Sequence, residues 1–252
     1  MNITFKNPGL EYSIGSIEQF QTEEQGEWWR ESLFLFYPQL DRARFDALDS
    51  AGRHVYLKET LAGIYEAAKK EIAVKESAYQ EHWNQHRKQV EDAFCDAFDT
   101  DVRSCLNDIV ANITLNPICP RYLQARSFDV FYLNSEKGAL GMSLHELIHF
   151  AWFMVWNQRF HDDDAEYETP SLKWVFSEMA VDAVMRDKRL STINPYSPNE
   201  CVYDYFYSMT VEGKPILETL FELYATRPIG DFMQQGLLFC QTHENEIRKQ
   251  MK

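Results

Sequence analysis

The sequence predicts an α+β fold that is mostly helical and carries a small sheet, and three observations lead to that class. Between Ile64 and Asn116 no Gly or Pro interrupts the chain, and Leu57, Leu61, Ile64, Ala68, Ile72, Tyr79, Trp83, Val90, Phe94 and Phe98 recur at three- and four-residue steps. That is the spacing of an amphipathic helix with Lys and Glu on its wet face. A zone rich in β-branched and aromatic residues, punctuated by prolines, follows in "DIVANITL", "PICPRYL" and "SFDVFYLN", the signature of short strands. Beyond that zone the chain reads as helical.

Taken in order, "NITFK" is a strand and the aromatic stretch "EWWRESLFLFY" is a helix that ends near Pro38. The long periodic region is one helix or two in succession, and "LNPICP" breaks helix before the strand zone ends. An apolar helix then surrounds "HELIH", and the polar loop "QRFHDDDAEYE" follows it. A second apolar helix is expected to start with Thr169 as N-cap and Pro170 at the first helical position. Two or three helices are expected after Pro195. The division anticipated is a mainly helical region over 1–116 and a region over 117–252 that carries the chemistry, together forming one compact unit. No repeat, low-complexity tract or linker is visible.

A length of 252 residues and 45% hydrophobic content suffice for a substantial core. A net charge of −14 disfavours nucleic acid and anionic membranes as partners, because both repel an acidic surface. The segment Gly138 to Trp156 is apolar enough to suggest a membrane span, yet His145, Glu146 and His149 stand at its centre and Arg159 and His161 close it, which favours a core helix. The start "MNITFKNPGLEYS" lacks a basic region followed by an apolar one, and five cysteines at wide spacing lack a metal-knuckle pattern. Both features lead to an expected cytoplasmic location with free thiols.

"SLHELIHFAW" places three titratable groups inside an apolar run. His145 and His149 are four apart, so on a helix their imidazoles project from one face a turn apart, as a shared metal ion requires. Glu146 is one step round, close enough to reach a water on that metal without ligating it. The second apolar helix repeats the anomaly with Glu178 and Asp182, two like charges that are costly to bury unless a cation or donors offset them. The two helices explain each other if they face across one zinc ion. Three protein ligands would leave one open tetrahedral position, as catalytic zinc sites do.

"HELIH" followed by "ExxxD" on a later helix resembles the gluzincin, thermolysin-like branch of the zincin metallopeptidases, over about 135 to 187. The resemblance implies a zincin-like fold, with a small mixed sheet packed on the active-site helix and extra N- and C-terminal helices. It further implies His145, His149 and Glu178 as Zn2+ ligands, Glu146 as general base, and Asp182 as acceptor of a ligand's N–H, foremost that of His145. It also implies a peptide or protein substrate lying along an edge strand, for which "FDVFYLN" is the candidate; an ordinary core strand is the competing reading. The metzincin pattern is not met, since Trp152 stands where it needs Gly and Val155 where it needs His, and Ser177 replaces the Asn that precedes the third ligand in thermolysin.

Asp162, Asp163 and Asp164 offer an alternative third ligand on a flexible acidic loop. Tyr203, Tyr207 and His243 are candidate oxyanion donors, with Tyr205 beside them, although tyrosines near Phe206 also suit a core. His82 and His86, also four apart, lie among charged residues and read as a solvated helix face. Two further functions share the same motif: a zinc-binding scaffold without hydrolytic activity, and a zinc hydrolase of a non-peptide amide or ester.

Overall fold

The computed structural model of the chain describes residues 1–22, 27–162, 167–194 and 201–251. Along the chain the elements are β1 (Ile3–Lys6), α1 (Leu10–Glu18), α2 (Glu27–Phe36), α3 (Arg42–Asp46), α4 (Ser50–Ala97), β2 (Ile109–Thr114), β3 (Arg121–Tyr122) and β4 (Ser127–Phe131). There follow α5 (Glu136–Phe160), α6 (Leu172–Met185), α7 (Lys188–Ser191), α8 (Asp204–Ser208), β5 (Thr210–Val211), β6 (Lys214–Pro215), α9 (Ile216–Ala225), α10 (Ile229–Thr242) and α11 (Glu244–Gln250). The fold is mostly helical with a small mixed sheet, as expected. No helix among the described residues is long and apolar enough to cross a membrane.

The chain forms two compact units. One comprises Asn2–Trp83 and Asp108–Met142, the other Met1, Asn84–Asn107 and Ser143–Lys252. β1, near the N-terminus, aligns parallel to β2 with Ile3 opposite Ile109, which joins the first residues to the strand zone.

In the first unit the strand order is β1-β2-β4-β3. β2 and β4 are parallel, with Asn112 opposite Asp129, and β3 runs antiparallel to β4. Every residue of β4 is buried. This corrects the candidate substrate edge: β4 is internal, flanked by β2 and β3, and where β3 ends the Asp129 N–H still donates to the Pro120 carbonyl at 2.8 Å. The edge strand β1 has its backbone covered from α4, where Gln80 accepts from the Phe5 N–H at 3.1 Å and donates to the Ile3 carbonyl at 3.0 Å. A side-chain amide that copies a strand's donor and acceptor in this way satisfies an exposed edge. The periodic region is a single helix; it ends before Asp99, whose φ of 50° is incompatible with a continuing right-handed helix.

Within this sheet Asp129 has no exposed surface. Its carboxylate accepts from Ser16 Oγ at 2.6 Å, Tyr12 Oη at 3.0 Å and Asn112 Nδ2 at 3.3 Å. Asn116 Nδ2 extends the network to Ser16 Oγ at 2.8 Å. Burial pushes the Asp129 carboxyl up to about 6, against the three hydrogen bonds that favour its ionised form.

The second unit is built around α6, which packs against α9 and α10. The start of α6 differs from expectation. Ser171 N–H donates to the Glu168 carbonyl to close a turn, and Ser171 Oγ then accepts from the Trp174 N–H, so Ser171 is the N-cap and Thr169 and Pro170 precede the helix. Four helices and a hairpin, β5–β6, follow residue 201 where two or three helices were expected. The hairpin turns on Glu212 and Gly213, with φ of 51° and 76°, a two-residue turn that needs left-handed backbone at both positions.

The raised Asp129 value sets a pH dependence. A carboxyl with a folded value near 6 and an unfolded value near 3.8 binds its proton more tightly when folded. Its contribution is fully present below about pH 4 and is lost as pH rises through 6, a change of about 3 kcal/mol. Urea unfolding of the wild type and of Asp129→Asn at pH 4 and pH 7 should show the wild type losing stability relative to the variant over this interval. Parallel pH profiles would contradict the assignment.

Candidate metal centre

The site is carried by α5 and α6. From Trp174 to Met185 every residue of α6 is buried, a pattern found where a helix is surrounded by protein on all sides. Around His149 on α5, Leu147, Ile148, Phe150, Ala151, Trp152 and Phe153 are buried likewise. Aromatic packing fixes the two helices. The Trp152 and Phe176 rings meet edge to face with centroids 5.3 Å apart, and Phe232 of α10 contacts both at 5.9 and 5.6 Å. Gly236 of α10 lies under the Phe176 ring so closely that a Cβ there would collide with it. Trp152 follows His149 by three residues and Phe176 precedes Glu178 by two, so this cluster sets the separation of the polar groups.

Within that frame the polar groups converge. His145 and His149 Nε2 are 3.3 Å apart. Glu178 straddles them, with Oε1 3.5 Å from His149 Nε2 and Oε2 3.7 Å from His145 Nε2. Glu146 Oε1 is 3.8 Å from His145 Nε2. Among the described residues, His145, Glu146 and His149 form a group whose ligand atoms all lie within 4.8 Å of one another. His149 is fully buried, and Glu178, Asp182 and Glu146 are nearly so.

These separations can be tested against a metal. Bonds of 2.0–2.1 Å in a tetrahedron place neighbouring ligand atoms about 3.3 to 3.4 Å apart. The spacing of the two imidazole nitrogens matches that edge, and the Glu178 oxygens are a few tenths of an ångström from it. Charge points the same way. Glu146, Glu178 and Asp182 are three buried carboxylates; Arg186 meets Asp182 at 3.4 Å but holds Glu218 more closely, at 2.9 and 3.1 Å. A divalent cation among the imidazoles and carboxylates would offset the remaining cost of burial. Two imidazoles and a carboxylate are a donor set suited to zinc.

The partner of His145 differs from expectation. His145 Nδ1 lies 2.9 Å from the Cys201 carbonyl, so a backbone oxygen accepts its N–H. A carbonyl can only accept, which puts the proton on Nδ1 and leaves Nε2 with its lone pair toward Glu178. Tyr207 is also recast. Its oxygen accepts from the N–H groups of Cys201 at 3.1 Å and Val202 at 3.3 Å, and burial, then the neighbouring Cys201, pushes its phenol up to about 12. Tyr203 stacks on Tyr205 with centroids 5.5 Å apart and abuts Trp174. Burial, then the Glu178 charge, pushes the Tyr205 phenol upward.

His243 lines an open groove of about 630 Å³ with Thr219, Glu222 and Phe239, between α9 and α10. Asp162 Oδ2 is engaged by Trp156 Nε1, Tyr167 Oη and Lys173 Nζ at 2.5, 2.6 and 3.2 Å, so it is committed to closing its own loop; Asp163 and Asp164 lie outside the described residues. His82 and His86 are partly exposed on α4, as expected of a wet face. Sequence reasoning missed the Cys201 carbonyl, the Tyr207 acceptor role and Arg186; the first two involve backbone groups, which carry no residue signature.

Compared with known proteins, the chain matches no family model, no curated protein and no solved structure. The likeness to gluzincins therefore stands on the residues of this site.

The packing that spaces the helices makes a prediction of sign. In an exposed helix Gly→Ala stabilises by about 0.5 to 1 kcal/mol. Gly236→Ala should instead destabilise by about 1 to 3 kcal/mol through its clash with Phe176, and Phe176→Leu in the same chain should relieve part of that loss. Chemical denaturation checks it, and a stabilised Gly236→Ala would contradict the close approach.

Proposed function

We propose that the protein is a zinc-dependent metallopeptidase in which His145, His149 and Glu178 hold the metal and Glu146 is the general base. The observation that carries this reading is the convergence of two imidazole nitrogens and the Glu178 carboxylate at separations near those of tetrahedral zinc ligands, with a second buried carboxylate beside them. When bound, zinc would supply Lewis acidity, polarising a substrate carbonyl and making water a better nucleophile near neutral pH.

The remaining work falls to the chain. His145 is oriented by the Cys201 carbonyl and His149 by its burial against Phe153, whose ring it stacks on at 6.4 Å, so both imidazoles are set before any ligand arrives. Glu178 spans the two, which places its charge centrally. Glu146 touches the cluster through a single oxygen, at 3.8 Å from His145, a position from which it can take a proton from water and return it to a leaving amine. No side chain serves as a covalent nucleophile in this scheme.

The two glutamates therefore separate experimentally. Glu146→Gln should keep zinc and lose turnover by about two to four orders of magnitude. Glu178→Gln should lose zinc affinity first, with activity partly restored by added metal. Zinc content and hydrolysis of a diverse peptide library, measured on both variants with circular dichroism as the folding control, decide between them. Full activity in Glu146→Gln would refute the mechanism, and tight zinc in Glu178→Gln would move the third ligand elsewhere.

A further inference from the structure

We propose that Tyr207 is a positioning residue: its hydroxyl oxygen clamps the peptide group whose carbonyl holds His145, and so selects the His145 tautomer that offers Nε2 to a metal. The Cys201 carbonyl, 2.9 Å from His145 Nδ1, and the Val202 N–H, 3.3 Å from Tyr207 Oη, belong to the same amide. That amide is trans, the cis bond found among the described residues being Thr169–Pro170, so its C=O and N–H point in opposite directions from a rigid plane. Tyr207 thus grips the back of the group whose front meets His145. The preceding amide is held by the same oxygen through the Cys201 N–H at 3.1 Å. Two donors on one oxygen fix both orientation and position, and a hydrogen bond donated by an amide N–H strengthens the carbonyl of the same amide as an acceptor.

The consequence reaches the metal centre through tautomerism. A neutral imidazole carries one proton, and the partner of one nitrogen decides which nitrogen is left to bind metal. A free imidazole side chain slightly prefers the proton on Nε2, the tautomer that cannot ligate through that atom. The Cys201 carbonyl reverses this preference, and Tyr207 holds the carbonyl in place.

The inference rests on His145 being a ligand, yet the tautomer is readable in metal-free protein, so its failure is distinguishable from failure of the peptidase reading. Long-range proton–nitrogen NMR on the metal-free chain at neutral pH should report His145 as the Nδ1–H form in the wild type. The Cys201 and Val202 amides should be protected from hydrogen exchange. Tyr207→Phe should shift His145 toward the Nε2–H form and weaken Zn2+ binding, read by competition with a chelating dye, by about 10 to 100-fold. Should Tyr207→Phe fail to fold, the wild-type measurements still decide: an Nε2–H His145, or unprotected Cys201 and Val202 amides, overturns the proposal. A folded Tyr207→Phe with unchanged tautomer and unchanged zinc affinity overturns it equally, whatever its thermal stability.

Discussion

Two carboxylates and two imidazoles converge between α5 and α6, with a third carboxylate one turn further along α6, and their burial is the constraint that organises the unit around them. Glu146, Glu178 and Asp182 are each at most 5% exposed, in helices otherwise made of aliphatic and aromatic residues. Charges so placed persist only with compensating partners, since unpaired ones cost several kcal/mol each or give up their charge. Arg186 supplies part of that compensation to Asp182. Around Glu178 and the two Nε2 atoms the compensation fits a divalent cation in size and charge, and the chemistry proposed for the site follows from that fit.

The surrounding architecture serves this arrangement. Trp152, Phe176 and Phe232 interlock α5, α6 and α10, and Gly236 lets α10 approach where any side chain would push it back. Tight aromatic packing is nearly incompressible, so it holds the imidazoles and Glu178 at fixed spacing. Polar support comes from beyond the two helices, through the Cys201 carbonyl and the tyrosine that anchors it. Apolar packing sets the distance between the groups; hydrogen bonds set their orientation.

Much of the site was legible in the sequence because its signal is local. Polar residues four apart in an apolar helix mark a common face whatever the rest of the chain does, and that sufficed for His145, His149, Glu178 and Asp182. The strands were readable from β-branched and aromatic content, and the long helix from its periodicity. Strand order was not readable, because which strand lies at an edge depends on pairing between distant segments; β4 turned out internal. The α6 cap moved from Thr169 to Ser171 because a turn closing on Glu168 displaced it. The partner of His145 was hidden because a backbone carbonyl has the same sequence signature at every position. Asp129 inside "SFDVFYLN" was a visible anomaly, and the structure accounts for it by donors from α1 and β2.

The central claim is that two imidazoles and a carboxylate on α5 and α6 form one zinc site, and the most direct test is X-ray absorption at the zinc edge on protein loaded with one equivalent of metal. A first shell of nitrogen and oxygen at about 2.0 to 2.1 Å, with the multiple scattering of two imidazoles, is the predicted spectrum. Zinc that washes off during gel filtration, or a sulfur shell at about 2.3 Å that places the metal on a cysteine such as Cys201, would contradict it.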